Sequence, residues 1–329
     1  MRRRVREVVL ARPVPDGARV EDFEIVERDL PPRTPAGMVH VRPLWLALDP
    51  YVPQALRGRH MGAPAPAPGE PLPGECVGIV LSSGVPGFAA GDHVVGHAGW
   101  AEEAIVPADR LRNVDPALGT REHLGILGMP GLTAWAGMTQ LASVGPDDLV
   151  CVDAAAGSVG GTAGQIAKLY GARVAGIAGG PEKTRLVTDV YGFDSCIDYR
   201  QGGWETLIPA DISLHFENVG QRVLDAVIPR LRAYGQIILC GLAQHYADGS
   251  VARLPLGLVM AKRAIVRGLI VYDFEERRDE WIAFAAPHLK EGRLVEAHDV
   301  VVGLESAAAQ LVSVAGGRTI GRPLVRIAG

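Results

Sequence analysis

The sequence predicts an α/β protein in which a mostly β domain is joined to a doubly wound parallel sheet. Three observations carry that prediction. At 329 residues the chain exceeds what one hydrophobic core usually organises, so two domains are expected. Residues 5–125 are rich in Pro and Gly and carry short β-type runs, whereas from residue 126 strand-like and helix-like segments alternate. The stretch 149–168 reads LVCVDAAAGSVGGTAGQIAK: an apolar run stops at a Gly-rich turn, and Val159, Ala163, Ile166 and Ala167 then recur at helical spacing.

In the first block the strand candidates include residues 5–10, 38–48, 76–81 and 93–96. Residues 61–73 read MGAPAPAPGEPLP, whose repeated Pro removes ladder donors and forbids a helix. That predicts a surface loop. In the second block, strands are predicted at 149–152, 173–177, 195–198, 212–217, 236–240 and 264–271, with helices at 157–170, 181–190, 221–229 and 279–289. Six strands with such crossovers imply the doubly wound sheet. Residues 298–328 return to short β runs around an Ala-rich helical patch at 304–314, so this tail is expected to rejoin the first domain. The expected division is 1–125 with 299–329 for one domain, and 126–298 for the other.

A hydrophobic fraction of 48% is ample for cores, and a net charge of −4 gives no electrostatic reason to expect nucleic acid or an anionic membrane as partner. The basic start, MRRRVR, leads into a strand and is not a signal peptide, because Arg12, Pro13 and Pro15 break the apolar stretch after it. No run approaches the ~18 apolar residues that span a bilayer. Cys76, Cys151, Cys196 and Cys240 form no C-x-x-C pair, which excludes a closely spaced Cys₄ zinc site and suits reduced thiols in the cytoplasm. Cys76 has no neighbouring His, and His60, His93 and His97 make no recognisable ligand set, so no metal is expected.

The Gly-rich turn is a candidate dinucleotide site. Gly157 and Gly160 occupy two positions of G-x-G-x-x-G, with Ala155 at the first, and a pyrophosphate would sit at the helix N-terminus beside Ser158 and Val159. Ser158 belongs to this turn, since no G-x-S-x-G elbow is present. The next predicted strand ends at Gly179 and Gly180, followed by Lys183 and Arg185, and no carboxylate stands where an NAD-selective site would place one. An ammonium there suits a 2′-phosphate, which predicts NADPH. Hydride transfer to an electrophilic carbon needs a hydrogen-bond donor for the developing negative charge. The candidates are Tyr246, after the strand-ending CGL, Tyr51 in LDPY and Tyr272 in IVYDF. Tyr246 has the strongest position, while Tyr51 and Tyr272 read equally well as core tyrosines.

With these residues assembled, the chain resembles the zinc-independent medium-chain dehydrogenase/reductases, in particular the alkenal/one oxidoreductases, with the prostaglandin and leukotriene reductases and plant double-bond reductases. The motifs are LDPY, GMPGLTAW, AAAGSVGG, GIAGGPEK, GFDSCIDY, FENVG, CGLAQHY, IVYDF and RTIGRPLV, in that order and nearly end to end. The resemblance implies a GroES-like catalytic domain plus a Rossmann domain, usually as a homodimer, and an NADPH-dependent reductase of the activated C=C bond of enones and enals without zinc. It implies that Gly157, Ser158, Val159 and Gly160 hold the pyrophosphate, and that Lys183 and Tyr199 hold the 2′-phosphate end. Asn218 would lie near the ribose, while Cys240, Gly241, Tyr246, Ile270, Val271 and Tyr272 would flank the nicotinamide. Thr319 stands where this family usually has Asn, and a hydroxyl reaches less far toward a phosphate or ribose. Val52 and Pro53 also replace the usual Met-Arg after D-P-Y. The alternatives are a quinone oxidoreductase on the same scaffold and a nonenzymatic NADPH-sensing protein.

Overall fold

The structure is a computed structural model that describes residues 3–327, apart from the side chains of Ala247 and Asp248. Met1 and Arg2 of the basic start, and Ala328 of the tail, lie outside the described residues. The chain divides into two compact units, Met1–Leu124 with His298–Gly329, and Gly125–Ala297. Among the described residues no helix is long and apolar enough to cross a membrane.

The first unit is built on antiparallel pairing. Its larger sheet runs His298–Val302, Arg322–Arg326, Met38–Ala47, Cys76–Ser83, His93–Gly96 and Leu111–Asn113, with Ala104–Pro107 also paired to Met38–Ala47. Alternation explains the long central strand, in which Val39, Val41 and Pro43 turn inward. Pro43 is tolerated because the register shifts between it and Trp45. The strands His298–Val302 and Arg322–Arg326 are parallel, which requires a crossover, and the helix Ala307–Ala315 supplies it. A smaller sheet pairs Arg3–Leu10 with Phe23–Leu30 and Trp100–Ala101. Leu10, Leu46, Leu48, Leu56 and Trp100 are fully buried in this unit's core. Residues 61–73 form neither helix nor strand, only isolated bridges at His60 to Ala63 and Val9 to Pro71.

The second unit is a six-stranded parallel sheet in the order Ser195–Asp198, Arg173–Ala178, Leu149–Val152, Ile212–Glu217, Leu231–Leu239, Ile265–Gly268. Chain order runs outward one way from Leu149–Val152 and then the other way from Ile212–Glu217. These two central strands therefore mark the topological switch point, where ligands bind in open α/β sheets. The helix Ser158–Leu169 packs through small residues: a Cβ on Gly164 would lie 1.8 Å from Phe193, and one on Gly161 2.6 Å from Tyr191.

Two differences from the sequence reading have physical causes. The apolar run 264–271 yields a strand only at Ile265–Gly268, and Val271 and Tyr272 open a short helix, Val271–Arg277. Apolar content alone does not distinguish strand from buried turn. The helix Met129–Trp135, continued as a π-helix at Ala136–Leu141, was not expected. Its Pro130 lies in the first turn, where a missing N–H costs nothing.

Candidate active site

Because the second sheet is parallel, the residue after each strand emerges on one edge. That edge collects Asp153 to Gly160, Gly179 to Lys183, Tyr199, Asn218, Cys240 to Tyr246, and Ile270 to Tyr272. Most of the predicted site residues are thereby brought to one side of one sheet. Tyr51 and Thr319 belong to the first unit.

The turn after Leu149–Val152 is tight, with Ala154 at φ +43° and the Gly157 N–H donating to the Ala154 carbonyl at 2.8 Å. Gly160 meets it closely: a Cβ there would lie 2.6 Å from the Ala154 oxygen and 2.8 Å from that of Asp153. Any larger residue would push the helix off the turn. Gly157 is the N-cap of Ser158–Leu169, where no side chain caps the helix and the first N–H groups lack intrahelical partners, an end that favours negative charge. The Ser158 hydroxyl donates to Glu296 Oε1, and Glu296 Oε2 accepts the Ile126 N–H at 3.0 Å. Ser158 thus anchors the helix start through Glu296.

At the end of Arg173–Ala178, Gly179 lies under the Tyr199 ring: a Cβ would sit 2.7 Å from both Cζ and the phenol oxygen. The Arg222 guanidinium stands 4.3 Å from the centroid of that ring. Arg200 lies close to Gly180, and Asp198 is spent on the main chain, accepting the Gly180 N–H at 2.7 Å and the Arg200 N–H at 3.0 Å. Those two bonds, the first above all, hold the Asp198 carboxyl below the usual carboxylate range. Lys183 is half-buried on the following helix, Pro181–Arg185. Arg200 and Arg222 were missed in the sequence, since neither lies in the segment 179–185 where a 2′-phosphate partner is sought.

Asn218 begins the turn after Ile212–Glu217. Its N–H donates to Asp153 Oδ1 at 2.6 Å and its side-chain amide donates to the Asp153 carbonyl at 3.1 Å, so its donors are held by the neighbouring strand end. The N–H groups of Cys240 and Gly241 donate to the Glu217 carbonyl at 2.9 and 3.1 Å. Tyr246 lies half-buried on the helix Ala243–Asp248, and burial raises its phenol above the ordinary value, with Cys240 adding to the rise. It keeps its proton at neutral pH. Ile270 and Tyr272 are exposed and Val271 is buried between them.

In the first unit the Tyr51 ring stacks on His60 with centroids 4.5 Å apart, and burial lowers the His60 pKa, keeping the imidazole neutral. Asp49, two residues before Tyr51, is buried against Arg322, which binds both its oxygens and so pins LDPY to the closing strand Arg322–Arg326. Arg322 therefore serves the fold of this unit. Thr319 lies half-buried in the connection between Ala307–Ala315 and that strand.

The Cys76 thiol donates to the Gly99 carbonyl at 3.4 Å and is pushed up to about 12 by burial, while His97 Nδ1 donates to the Gly74 carbonyl at 3.2 Å. With His60 stacked on Tyr51, these side chains do not converge on a zinc-like donor set. Among the described residues the one grouping of three His, Cys, Asp or Glu donors is Asp153, His215 and Glu217, inside the second unit.

Residues 6–114 match the family model described as the N-terminal domain of oxidoreductase, and residues 158–289 match that described as zinc-binding dehydrogenase. The chain is 35% identical to a 2-alkenal reductase (NADP(+)-dependent) of Nicotiana tabacum, over 98% of its own length and 97% of the relative's. It is 36% identical to an NADPH-dependent curcumin reductase of Escherichia coli (strain K12), over 96% and 94%. Among solved structures, CurA in complex with NADPH from Vibrio vulnificus has a TM-score of 0.89 at 31% identity, covering 98% of this chain and 99% of that one.

Proposed function

The chain belongs to the zinc-independent medium-chain dehydrogenase/reductases, in the branch of the alkenal and enone reductases, and we propose that it reduces the activated C=C bond of α,β-unsaturated ketones and aldehydes with NADPH. The observation that carries this reading is the single sheet edge that gathers the Gly-rich turn, a basic cluster and the half-buried phenol of Tyr246.

The residues present suit the cofactor. Gly160 leaves room at the turn, the helix N-terminus attracts phosphate, Arg222 lies over Tyr199 with Arg200 close by Gly180, and Lys183 follows on the helix after the same strand, so cations stand where a carboxylate would repel a phosphate. In this assignment Gly157, Ser158, Val159 and Gly160 hold the pyrophosphate, and Lys183 and Tyr199 the 2′-phosphate end. Asn218 faces the ribose, and Cys240, Gly241, Ile270, Val271 and Tyr272 flank the nicotinamide. When bound, NADPH supplies a hydride to the β-carbon of the substrate. Tyr246 hydrogen-bonds the carbonyl oxygen as negative charge gathers there, and the α-carbon takes its proton from Tyr246 or from water. Tyr272 is the other phenol of this unit assigned to the substrate side.

We further read the protein as a cytoplasmic homodimer. All four cysteines are free thiols, which suits a reducing compartment. The strand Ile265–Gly268 is an edge of its sheet, with Ile265 41% exposed, and on the helix Leu256–Lys262 that precedes it Leu256 and Met260 are 74% and 76% exposed. An open strand edge and exposed apolar side chains in the same unit suit pairing with a second copy.

Loss of NADPH absorbance with a 2-alkenal and with a naphthoquinone tests the reaction. Higher kcat/KM for the alkenal is expected. Turnover of the quinone alone would make it a quinone reductase, and tight NADPH binding without oxidation by either would make it a binding protein.

A further inference from the structure

Asp153 is the first residue beyond the strand Leu149–Val152, and His215 and Glu217 are two apart on Ile212–Glu217, hence on one face of the sheet. The parallel register sets His215 opposite Cys151 and Phe216 opposite Val152, which brings Glu217 level with Asp153. All three side chains are fully buried at the switch point. Glu217 Oε2 lies 2.9 Å from His215 Nε2, and Asp153 Oδ2 lies 4.0 Å from the same nitrogen.

The carboxyl oxygens are already turned to main-chain donors. Asp153 Oδ1 accepts the Asn218 N–H at 2.6 Å, and Glu217 Oε1 accepts the N–H groups of Val219 and Gly220 at 2.6 and 2.5 Å. Among the described residues no Lys or Arg pairs with either carboxyl. His215 Nδ1 donates to the Cys151 carbonyl at 3.1 Å, so that nitrogen carries a hydrogen. A neutral ring then needs an O–H from Glu217 at Nε2, and a charged ring supplies an N–H there. Either way a proton lies on the His215–Glu217 axis.

We propose that Asp153, His215 and Glu217 are a proton-sharing positioning triad that holds the 218–220 turn in place for NADPH binding. This rests on the reading that Asn218 faces the cofactor. Burial pushes Asp153 well above the ordinary carboxyl value, with Glu217 adding to the rise, raises Glu217, and lowers His215. Two buried carboxylates without a cation would repel one another, and removal of the shared proton loosens the turn they grip. The effect reaches further, because the Asn218 and Val219 carbonyls accept the N–H groups of Ala243 and Gln244, at the start of the helix that carries Tyr246. The other titratable groups facing the triad are Cys151 and Cys240, both raised by burial. His245 meets the far side of the turn, its Nε2 accepting the Gln221 N–H at 3.1 Å.

The test measures the NADPH dissociation constant by cofactor fluorescence from about pH 7 to about pH 9.5, for the wild type and Asp153→Asn. The wild-type constant should rise about tenfold or more across that range and that of the variant less than about threefold, since Asn needs no proton to face Glu217. Infrared spectra of the wild type should show a protonated carboxyl C=O band near neutrality that fades as pH rises. Equal pH slopes in the two proteins, or no such band near pH 7, overturns the triad. So does a stoichiometric metal ion in the purified protein, which would replace the proton. Should Asp153→Asn not fold, Glu217→Gln takes its place and the wild-type infrared spectrum decides alone. A wild type that binds no NADPH at any pH overturns the cofactor reading instead.

Discussion

In the first unit Asp49 is buried against the guanidinium fork of Arg322, while in the second Asp153 and Glu217 are buried side by side with His215, the Asn218 amide and backbone N–H groups for company and, among the described residues, no Lys or Arg. Both arrangements fix a turn next to a candidate site residue, Tyr51 in one and Asn218 in the other. The difference is the source of positive charge. A guanidinium stays charged throughout the working range and meets a carboxylate with two parallel bonds. A carboxyl pair without such a partner keeps a proton instead, and that proton can be titrated away. A carboxyl raised in the folded state adds stability that is complete below its unfolded value and disappears as pH rises through its folded value. With Asp153 and Glu217 both raised, the second unit should lose stability as pH rises from the ordinary carboxyl range toward their folded values.

The largest expected effect comes from breaking the permanently charged pair. Arg322→Met leaves Asp49 buried without its cation and should cost about 3–5 kcal/mol in chemical denaturation, whereas the double variant with Asp49→Leu should recover much of that loss. Equal losses in the single and double variants would show that Arg322 acts through packing, and the contrast between the two clusters would then fail.

Next comes Tyr246, a third group whose acid form burial favours. Tyr246→Phe removes the proton but keeps the ring, so kcat should drop about a hundredfold, equivalent to about 2.7 kcal/mol, with NADPH affinity within about twofold. Unchanged turnover with several enones would remove Tyr246 from the chemistry and pass the role to Tyr51 or Tyr272.

The contrast between the clusters also marks what could be read in the sequence. The Gly-rich turn was legible because its chemistry is local: Gly157 and Gly160 act on residues within a few positions of themselves. Lys183 was legible for the same reason, following directly on a strand end. Arg322 and Asp49 are 273 positions apart, and only the closing strand's return to Met38–Ala47 brings them together. Asp153 reaches Asn218 across 65 positions through the pairing of two central strands, and neither FENVG nor VCVD signals that alone. Arg222 escaped notice likewise, because its place over Tyr199 follows from the packing of a helix start against the end of another strand.

Smaller effects follow where charges are in contact with water. Lys183 is half-buried and shares its end of the sheet with Arg200 and Arg222. Lys183→Ala should therefore lower the NADPH over NADH preference in kcat/KM by about tenfold, or about 1.4 kcal/mol, and leave part of it intact. An unaltered preference would assign the 2′-phosphate to the arginines alone.

The smallest effect is expected at Arg4 and Glu27, paired at 3.2 Å across the strands Arg3–Leu10 and Phe23–Leu30, with side chains 73% and 63% exposed. Here water solvates both charges before and after folding, so neither a cation nor a proton is required to offset burial. Glu27→Gln should change stability by less than about 0.5 kcal/mol, and added salt should shrink even that. A loss approaching that of Arg322→Met would mean that cross-strand geometry, rather than burial, sets the strength of ion pairs in this unit. In that case the distinction between permanent charge and retained proton would have to be sought in the pH dependence alone.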